Sequence, residues 1–281
     1  MQGKTVVVTG ATSGIGQAAA LELARLGADV VLLGRSADKA AATTDMIEAK
    51  VGRSCVRSFL ADFQRLEDVR RVAQELFELP QIDVLLNNAG LVLRQRELTV
   101  DGYEKTFAVN HLAPFLLTCL LLPKLLERPG ARIVNTSSGA HSSGRLVLED
   151  LQSEQSYAMM KAYGGSKLAN LMFTTELTRR LEGRDIDCWS VHPGQVSTDI
   201  GTNVGWLVRV GHVVLKPFLK TAAQGARTSI YLCSADIDAP NGSYFVDCKV
   251  EEPLARAVDP LETQALWAAS LALVGLDDLV L

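Results

Sequence analysis

The stretch TGATSGIGQAAA at residues 9–20 decides the fold expected for this chain. It follows the β-branched run TVVV and opens a pattern that is typical of a helix. Gly10, Gly14 and Gly16 allow a tight turn and a close approach of the backbone to a ligand. The N-terminus of the following helix presents free N–H groups and a partial positive charge, which suit a pyrophosphate. An ordinary glycine-rich turn is the alternative, and the position between a strand and a helix favours a dinucleotide site.

Short apolar runs alternate with helical patterns along the whole chain. The seven strand candidates are residues 5–10, 29–34, 55–62, 83–90, 131–138, 187–194 and 243–247. They are apolar almost throughout, as expected for strands that are covered on both faces. We therefore predict a single α/β domain over residues 1–281. Its fold would be a Rossmann-type doubly wound parallel sheet of about seven strands with helices on both faces.

Composition excludes several classes of protein. The 281 residues are 48% hydrophobic and 21% charged, and the net charge of −4 comes with no basic run, so nucleic acid is not an expected partner. Five scattered cysteines without a C-x-x-C pair indicate free thiols, and four histidines without ligand spacing argue against a metal site. The apolar run at residues 112–126 holds two prolines and a lysine and is interpreted as a buried helix. We expect a cytoplasmic protein without a transmembrane segment.

The end of the second strand candidate indicates which nicotinamide cofactor would bind. A site for NAD usually has an acidic residue here, which binds the ribose 2′-hydroxyl, but this chain has Gly34 and Arg35. A guanidinium group suits a 2′-phosphate, so NADP(H) is favoured over NAD(H). The alternative is that Arg35 is an ordinary surface arginine.

The stretch YAMMKAYGGSK at residues 157–167 contains the pattern Tyr-x-x-x-Lys twice. On a helix, residues four apart share a face, so the ammonium group can change the acidity of the phenol. Tyr163 and Lys167 continue into a long amphipathic helix that can fix their geometry. Tyr157 and Lys161 are followed by two glycines, which we expect to weaken any helix around them. The second copy is therefore the favoured catalytic pair.

Four motifs in order resemble one known family. They are TGATSGIG (residues 9–16), NNAG (87–90), Tyr163-x-x-x-Lys167 and HPG (192–194). Together they resemble the short-chain dehydrogenase/reductases. The resemblance covers the whole chain and implies hydride transfer between a nicotinamide and a carbonyl or alcohol.

A narrower resemblance is to the retinol-dehydrogenase-like branch of that family. It is carried by AYGGSKLANLMFTTELTRRL, VHPGQVSTDI and the C-terminal YFVDCKVEEPLARAVD. This implies a lipophilic aldehyde or retinal-like substrate. Two alternatives stay open: a short-chain oxidoreductase acting on a steroid or acyl carbonyl, and a cofactor-binding sensor or scaffold without turnover.

The resemblance also implies a catalytic set of Asn110, Ser138, Tyr163 and Lys167. Ser138 ends the fifth strand, where ligands meet an open sheet, and its hydroxyl can polarise a carbonyl oxygen. Its neighbour Ser137 is the competitor, and the family places the catalytic serine second. In the family, the counterpart of Asn110 supports a water that links the lysine to solvent, whereas an asparagine at a helix start is otherwise often an N-cap.

Cofactor contacts follow from the same resemblance. Asp62 would bind the adenine amino group, and Val196 and Thr198 would hold the carboxamide and phosphates. Packing is the alternative, most of all for Ala89 and Val196. The full predicted set is Gly10, Ser13, Gly14, Ile15, Gly16, Arg35, Asp62, Asn87, Ala89, Gly90, Tyr163, Lys167, Pro193, Gly194, Val196 and Thr198.

Two further expectations concern the substrate and assembly. The apolar segment at residues 201–220 is predicted to belong to a substrate lid around residues 200–222 that is lined for a hydrophobic substrate. The alternatives are a core helix pair and shallow membrane association. The apolar helices around residues 110–127 and 163–182 resemble those through which family members dimerise, which implies a homodimer.

Overall fold

The computed structural model of the protein describes residues 1–194 and 220–279. Within these ranges, eight strands form one sheet in the order β3-β2-β1-β4-β5-β6-β7-β8. The strands are β1 (Thr5–Thr9), β2 (Asp29–Gly34), β3 (Val56–Leu60), β4 (Val84–Asn87), β5 (Ala131–Thr136), β6 (Ile186–His192), β7 (Tyr244–Val246) and β8 (Lys249–Glu251). All neighbouring pairs are parallel except β7 with β8. The predicted α/β class is confirmed, with eight strands in place of about seven.

The helices lie on both faces of this sheet. They are α1 (Gly14–Arg25), α2 (Ala37–Val51), α3 (Leu66–Phe77), α4 (Lys105–Leu126), α5 (Met159–Arg180), α6 (Ala222–Ser234) and α7 (Pro260–Val274). Helix α4 contains a π-helical turn over Ala108–Leu112. Short 3-10 turns cover Gly139–Ser143, Leu148–Asp150 and Ala255–Ala257.

Side chains of each strand alternate between two hydrophobic cores. On β1, Val6 and Val8 pack into a core with helices α1, α2 and α6, whereas Val7 packs into a core with α3, α4, α5 and α7. All three valines are fully buried. Because successive side chains point to opposite faces, a strand covered on both sides has to be apolar at every position. This is why the strand candidates showed no polar alternation.

The eighth strand is the part of the sheet that sequence inspection missed. Asp247 and Cys248 have φ angles of 48° and 62°, and they turn the chain back so that β8 runs antiparallel to β7. Two-residue hairpin turns with two positive φ angles are usually recognised by an Asn-Gly or Asp-Gly pair. The Asp-Cys pair lacks that signal, and all three residues of β8 are exposed.

Helix α4 combines the composition of a membrane span with the environment of a core helix. Its 22 residues have a mean hydropathy of 1.5 over the most apolar window, but 89% of that window is buried inside the protein. Among the described residues it is the single helix that meets this length and composition test. Such burial agrees with the prediction of a core helix for residues 112–126.

The last helix covers the two helices that were predicted to form a dimer. On α7, the Trp267 ring lies 4.9 Å from the Phe115 ring of α4 and 5.8 Å from the Phe173 ring of α5. The Arg180 guanidinium group lies over the same indole at 4.6 Å. Part of the apolar surface of α4 and α5 is therefore used within the chain, and the homodimer stays a prediction.

Trp267→Ala tests how much α7 contributes to stability. The side chain is buried between two aromatic rings, so its loss should lower the free energy of unfolding by about 3–5 kcal/mol. Leu261→Ala on the same helix is the matched control, since Leu261 is 80% exposed, and should change it by less than about 0.5 kcal/mol. Denaturant unfolding of both variants measures the difference. If both variants lost equally little unfolding free energy, α7 would be only loosely packed against α4 and α5.

Candidate active site

The turn after β1 is held against the end of β4 by contacts that exclude side chains. A Cβ atom on Gly10 would lie 2.9 Å from Ala89 Cα, and one on Gly16 would lie 2.4 Å from the Gly10 carbonyl oxygen. The Thr9 hydroxyl oxygen accepts hydrogen bonds from the backbone N–H groups of Asn88 and Ala89, both at 2.9 Å. The glycines are therefore required by backbone packing as well as by the turn.

This turn forms one wall of a cleft of about 280 Å³ at the carboxyl end of the sheet. Such a position is where open α/β sheets bind ligands. Twelve of the predicted cofactor residues line the cleft: Gly10, Ser13, Gly14, Ile15, Gly16, Arg35, Asp62, Ala89, Gly90, Tyr163, Lys167 and Pro193.

The chemistry of the lining fits a dinucleotide. Ser13 precedes α1 without capping it through its side chain, and the first turn of α1 holds no acidic residue, so its N–H groups face the cleft. Arg35 adds an exposed guanidinium group at the end of β2. Asp62 lies after β3, and its carboxylate accepts from the N–H of Gln64 at 3.1 Å. A phosphate site, a cation and a carboxylate thus follow three neighbouring strands.

Asn87 is not among the residues that line the described cleft, and its predicted role in cofactor binding stays a prediction. Its amide nitrogen donates to Thr118 Oγ1 and Asn135 Oδ1, both at 2.9 Å, and the residue is 4% exposed. It holds β4 to α4 and β5. The neighbouring Asn88 lines the cleft instead.

Gly194 is another predicted cofactor residue that is not among the described lining residues of the cleft. Gly194 follows the lining residue Pro193 and has a φ of 84°. This positive φ favours glycine, whereas the nearest atoms, 2.8 Å from a Cβ at this position, belong to the flexible Lys220 side chain. Val196 and Thr198 lie outside the described residues, as does most of the predicted lid.

Several lining residues were not predicted. They are Thr12, Leu33, Gly34, Ala61, Phe63, Gln64, Asn88, Leu91, Val109, Thr136 and Ser137. Most are sequence neighbours of a residue that was predicted. They could have been predicted from their position next to a motif at the end of a strand.

The two Tyr-x-x-x-Lys copies occupy different environments. Tyr157 precedes the start of α5 and donates its hydroxyl to the Leu93 carbonyl oxygen at 2.8 Å, while Lys161 is exposed. Tyr163 and Lys167 both lie within α5 and both line the cleft. The geometry therefore favours the second copy, as the sequence did.

Lys167 is buried, although no carboxylate pairs with it among the described residues. Its Nζ atom donates to the Thr136 carbonyl oxygen at 3.1 Å and lies 5.7 Å from the centroid of the Tyr163 ring. The residue is 3% exposed, and burial lowers the pKa of its ammonium group to about 8. A lysine with this pKa can hold or release a proton near neutral pH.

The two serines after β5 have different partners. Ser137 donates its hydroxyl to the Lys167 carbonyl oxygen at 2.8 Å, so this buried group is committed to the backbone of α5. Ser138 is partly exposed, and its hydroxyl lies close enough to the Tyr163 phenol to counter in part the rise in its pKa. It also accepts from the N–H of Ala140 at 3.2 Å. Ser138 is thus the serine whose hydroxyl adjoins the phenol.

Gly164 and Gly165 allow this proximity. A Cβ atom on Gly164 would lie 2.3 Å from the Ala140 carbonyl oxygen, and one on Gly165 would lie 2.2 Å from that of Arg145. The segment that follows Ser138 therefore rests directly on α5. The two glycines do not end the helix, because α5 continues through both of them.

Asn110 lies in the π-helical turn of α4 and is fully buried. Its side chain accepts from the N–H of Leu91 at 2.8 Å and donates to the Leu91 carbonyl at 2.9 Å and to Ser166 Oγ at 2.9 Å. A Cβ atom on Gly90 would lie 3.3 Å from both Asn110 Oδ1 and Lys167 Nζ. The structure thus brings Asn110 close to Lys167.

The acidity of Tyr163 differs from the sequence-based expectation. The neighbouring ammonium group of Lys167 was expected to change the acidity of this phenol. Instead, burial raises the pKa of the Tyr163 phenol, and the Ser138 hydroxyl opposes this rise only in part. The pKa of Lys167 is lowered only to about 8, so its ammonium group is largely protonated at neutral pH. It lies 5.7 Å from the centroid of the phenol ring and does not offset the effect of burial on the phenol. In the protein alone, Tyr163 is therefore a protonated acid at neutral pH.

Comparisons with known proteins agree with this fold and site. The family model described as short chain dehydrogenase matches residues 4–205. The chain is 42% identical to "Retinol dehydrogenase 14" of Mus musculus, over 98% of this chain and 87% of the relative. A protein of Mycobacterium paratuberculosis has the same fold with a TM-score of 0.82 and 36% identity, covering 100% of this chain and 96% of that one. A short-chain dehydrogenase of Shigella flexneri, crystallised with NADP, gives a TM-score of 0.69 at 28% identity, covering 87% and 97%.

A doubly wound sheet with a glycine-lined dinucleotide cleft and a tyrosine–lysine pair defines a class of oxidoreductases. This chain belongs to the short-chain dehydrogenase family. Its similarity to the retinol dehydrogenases supports an oxidoreductase that acts on alcohols.

Lys167→Met should stabilise the protein while removing a site residue. Burial lowers the pKa of Lys167 from 10.5 to about 8, so the unfolded chain binds more protons between these pH values. In the wild type, the free-energy cost of burying the charged Lys167 side chain is complete below pH 8 and disappears above pH 10.5. The variant should therefore gain up to about 3 kcal/mol in unfolding free energy at pH 7, and the gain should shrink as pH rises.

Denaturant unfolding at pH 7 and about pH 10 measures this gain. Lys161→Met is the matched control, because Lys161 lies on the same helix but is exposed. It should change stability little at either pH. A Lys167→Met variant that is less stable at pH 7 would contradict the prediction.

Proposed function

We propose that the protein is an NADP(H)-dependent oxidoreductase that interconverts a carbonyl and an alcohol on a lipophilic aldehyde or retinal-like substrate. The observation that carries the proposal is the convergence of Ser138, Tyr163 and Lys167 beside one dinucleotide-shaped cleft. The nicotinamide, when bound, supplies or accepts the hydride. The protein's own residues then have to orient the carbonyl and move one proton.

Ser138 and Tyr163 act together on the carbonyl oxygen in this proposal. Their hydroxyl groups adjoin each other, so both can donate to the same oxygen atom. Because the pKa of Tyr163 is raised, its phenol is protonated at neutral pH and can give its proton to a developing alkoxide. Ser138 stabilises the same charge without titrating.

Lys167 and Asn110 help to return a proton to Tyr163 in this proposal. Lys167 titrates close to neutral pH, which suits a group that returns a proton to the phenolate. Asn110 fixes the backbone of Leu91 and the hydroxyl of Ser166 around the lysine. Its role is therefore to keep the surroundings of Lys167 in place.

The preference for NADP(H) rests on Arg35. Its guanidinium group lines the cleft at the end of β2, where a ribose 2′-phosphate would lie next to Gly34 and Thr12. NADP in the Shigella flexneri relative is in keeping with this choice.

The lipophilic substrate is supported by similarity to proteins named as retinol dehydrogenases. A steroid or acyl carbonyl is the second substrate class. The sensor without turnover is disfavoured, because a protein that only binds a dinucleotide has no need for Ser138 beside Tyr163. A cytoplasmic location stays part of the proposal, and all five cysteines are free thiols, as a reducing compartment requires.

Tyr163→Phe tests the proposal directly. Removal of the hydroxyl deletes the proton donor, so kcat should fall by about 10²–10⁴-fold. The assay follows NADPH absorbance against carbonyls that run from short aldehydes to retinal and include a steroid ketone. Tyr157→Phe is the matched control and should keep kcat within about twofold, since its hydroxyl donates to the Leu93 carbonyl and Tyr157 is not among the described cleft-lining residues.

Activity that survives in Tyr163→Phe and is lost in Tyr157→Phe would reverse the assignment. Tight NADPH binding by the wild type without turnover of any carbonyl would favour the sensor. Turnover of the steroid ketone alone would support the second substrate class.

Arg35→Ala tests the cofactor preference. Loss of a charge-assisted contact to a 2′-phosphate should raise KM for NADPH about five- to tenfold and leave KM for NADH nearly unchanged. Lys39→Ala is the control, because Lys39 is also exposed and lies near the start of α2. Equal changes for the two cofactors would show that Arg35 does not recognise the phosphate.

A further inference from the structure

Thr136 carries two hydrogen bonds on the carbonyl oxygen that ends β5. Lys167 Nζ donates to this oxygen at 3.1 Å, and Asn170 Nδ2 donates to it at 3.0 Å. The same Asn170 nitrogen also donates to the backbone carbonyl of Asn110 at 3.0 Å. One amide therefore holds the acceptor of Lys167 and the π-helical turn that contains Asn110.

Asn170 is itself held from the other side by a buried pair. Its Oδ1 atom lies 3.3 Å from His111 Nδ1, and His111 Nε2 lies 2.9 Å from the Ser270 hydroxyl oxygen. His111 and Ser270 are fully buried, and Asn170 is 4% exposed. Ser270 belongs to α7, so a continuous buried chain connects the last helix to the acceptor of Lys167.

Hydrogen-bonding rules fix the direction of this chain. Asn170 uses its nitrogen for two carbonyl oxygens, so its oxygen has to face His111 and needs a donor there. His111 then carries its proton on Nδ1, and Nε2 is an acceptor. The single proton of the Ser270 hydroxyl is shared between His111 Nε2 at 2.9 Å and the Leu266 carbonyl oxygen at 2.8 Å. The reverse tautomer would place two acceptors against each other at Asn170.

Neutral histidine is required for this arrangement, and its surroundings enforce it. The rings of Phe107, Phe115 and Phe173 lie 5.0, 5.9 and 6.2 Å from the His111 ring. Burial lowers the pKa of His111 to about 4, and the hydrogen bond to Asn170 opposes this. No other titratable side chain contributes to that shift among the described residues.

We propose that Ser270, His111 and Asn170 form a positioning relay through which helix α7 fixes the Lys167 ammonium group. The inference rests on the proposed function for its effect on rate. The three residues touch neither substrate nor cofactor in this proposal and act only through the Thr136 and Asn110 carbonyls. If Asn170 turns, Thr136 loses one donor and Lys167 loses its fixed geometry.

Two pairs of variants separate positioning from packing. Ser270→Ala removes the end of the relay, and Ser229→Ala removes another buried helix hydroxyl, on α6, which has no hydrogen-bond partner among the described residues. His111→Asn keeps a donor near the Nδ1 position for Asn170, whereas His111→Gln keeps a polar group only near Nε2. Both histidine variants lose the aromatic packing.

We expect Ser270→Ala and His111→Gln each to lower kcat about tenfold. Both variants should also shift the apparent pKa of the pH profile of kcat, in the same direction as each other. His111→Asn should recover most of the rate lost in His111→Gln. Ser229→Ala should leave both the rate and the pH profile unchanged. Unfolding curves of all four variants control for stability. Rate losses that follow stability alone, with an unmoved pH profile, would overturn the proposal.

Nitrogen-15 NMR of the histidine side chains tests the relay without any turnover. The Nδ1–H tautomer of His111 is expected in the wild type, and a loss of that preference is expected in Ser270→Ala. An Nε2–H tautomer would overturn the relay even in an active enzyme. An inactive wild type with the Nδ1–H tautomer would instead count against the proposed function and leave the buried chain supported.

Discussion

The contact of Gly164 and Gly165 with the main chain of residues 140–145 is the constraint on which the site depends. Any side chain at either glycine would overlap a carbonyl oxygen. The loop after β5 would then have to move away from α5 and would take Ser138 away from Tyr163. Glycine inside a helix costs about 1 kcal/mol relative to alanine, and here that cost permits the approach of two hydroxyl groups.

Much of the fold and the cleft could be predicted because the signals are local. The apolar strands follow from burial on both faces, and the turn after β1 shows its glycines within seven residues. Failures occurred where the signal was weak or absent. The hairpin at Asp247 and Cys248 lacks a glycine, and nothing in NNAG shows whether Asn87 or Asn88 faces the ligand. Strand register decides that, and it depends on β1 and β5 as partners.

The chemistry of individual side chains was less predictable, because it depends on partners far away in sequence. Ser137 and Ser138 are adjacent and identical, yet one donates to the backbone of α5 and the other lies near the Tyr163 phenol. His111 showed no distinguishing pattern in the sequence. Its partner Ser270 lies 159 positions further along the chain. Only the packed arrangement of α4, α5 and α7 brings such groups together.

Burial acts on both members of the tyrosine–lysine pair, and it acts in opposite directions. It raises the pKa of the phenol and lowers that of the ammonium group, so each is driven toward its neutral form. A neutral phenol beside a buried ammonium group that titrates near pH 8 is arranged for proton donation to an oxygen that gains negative charge. A positive charge brought next to the pair would favour the phenolate instead. The protonation of Tyr163 therefore depends on the charge of what occupies the cleft.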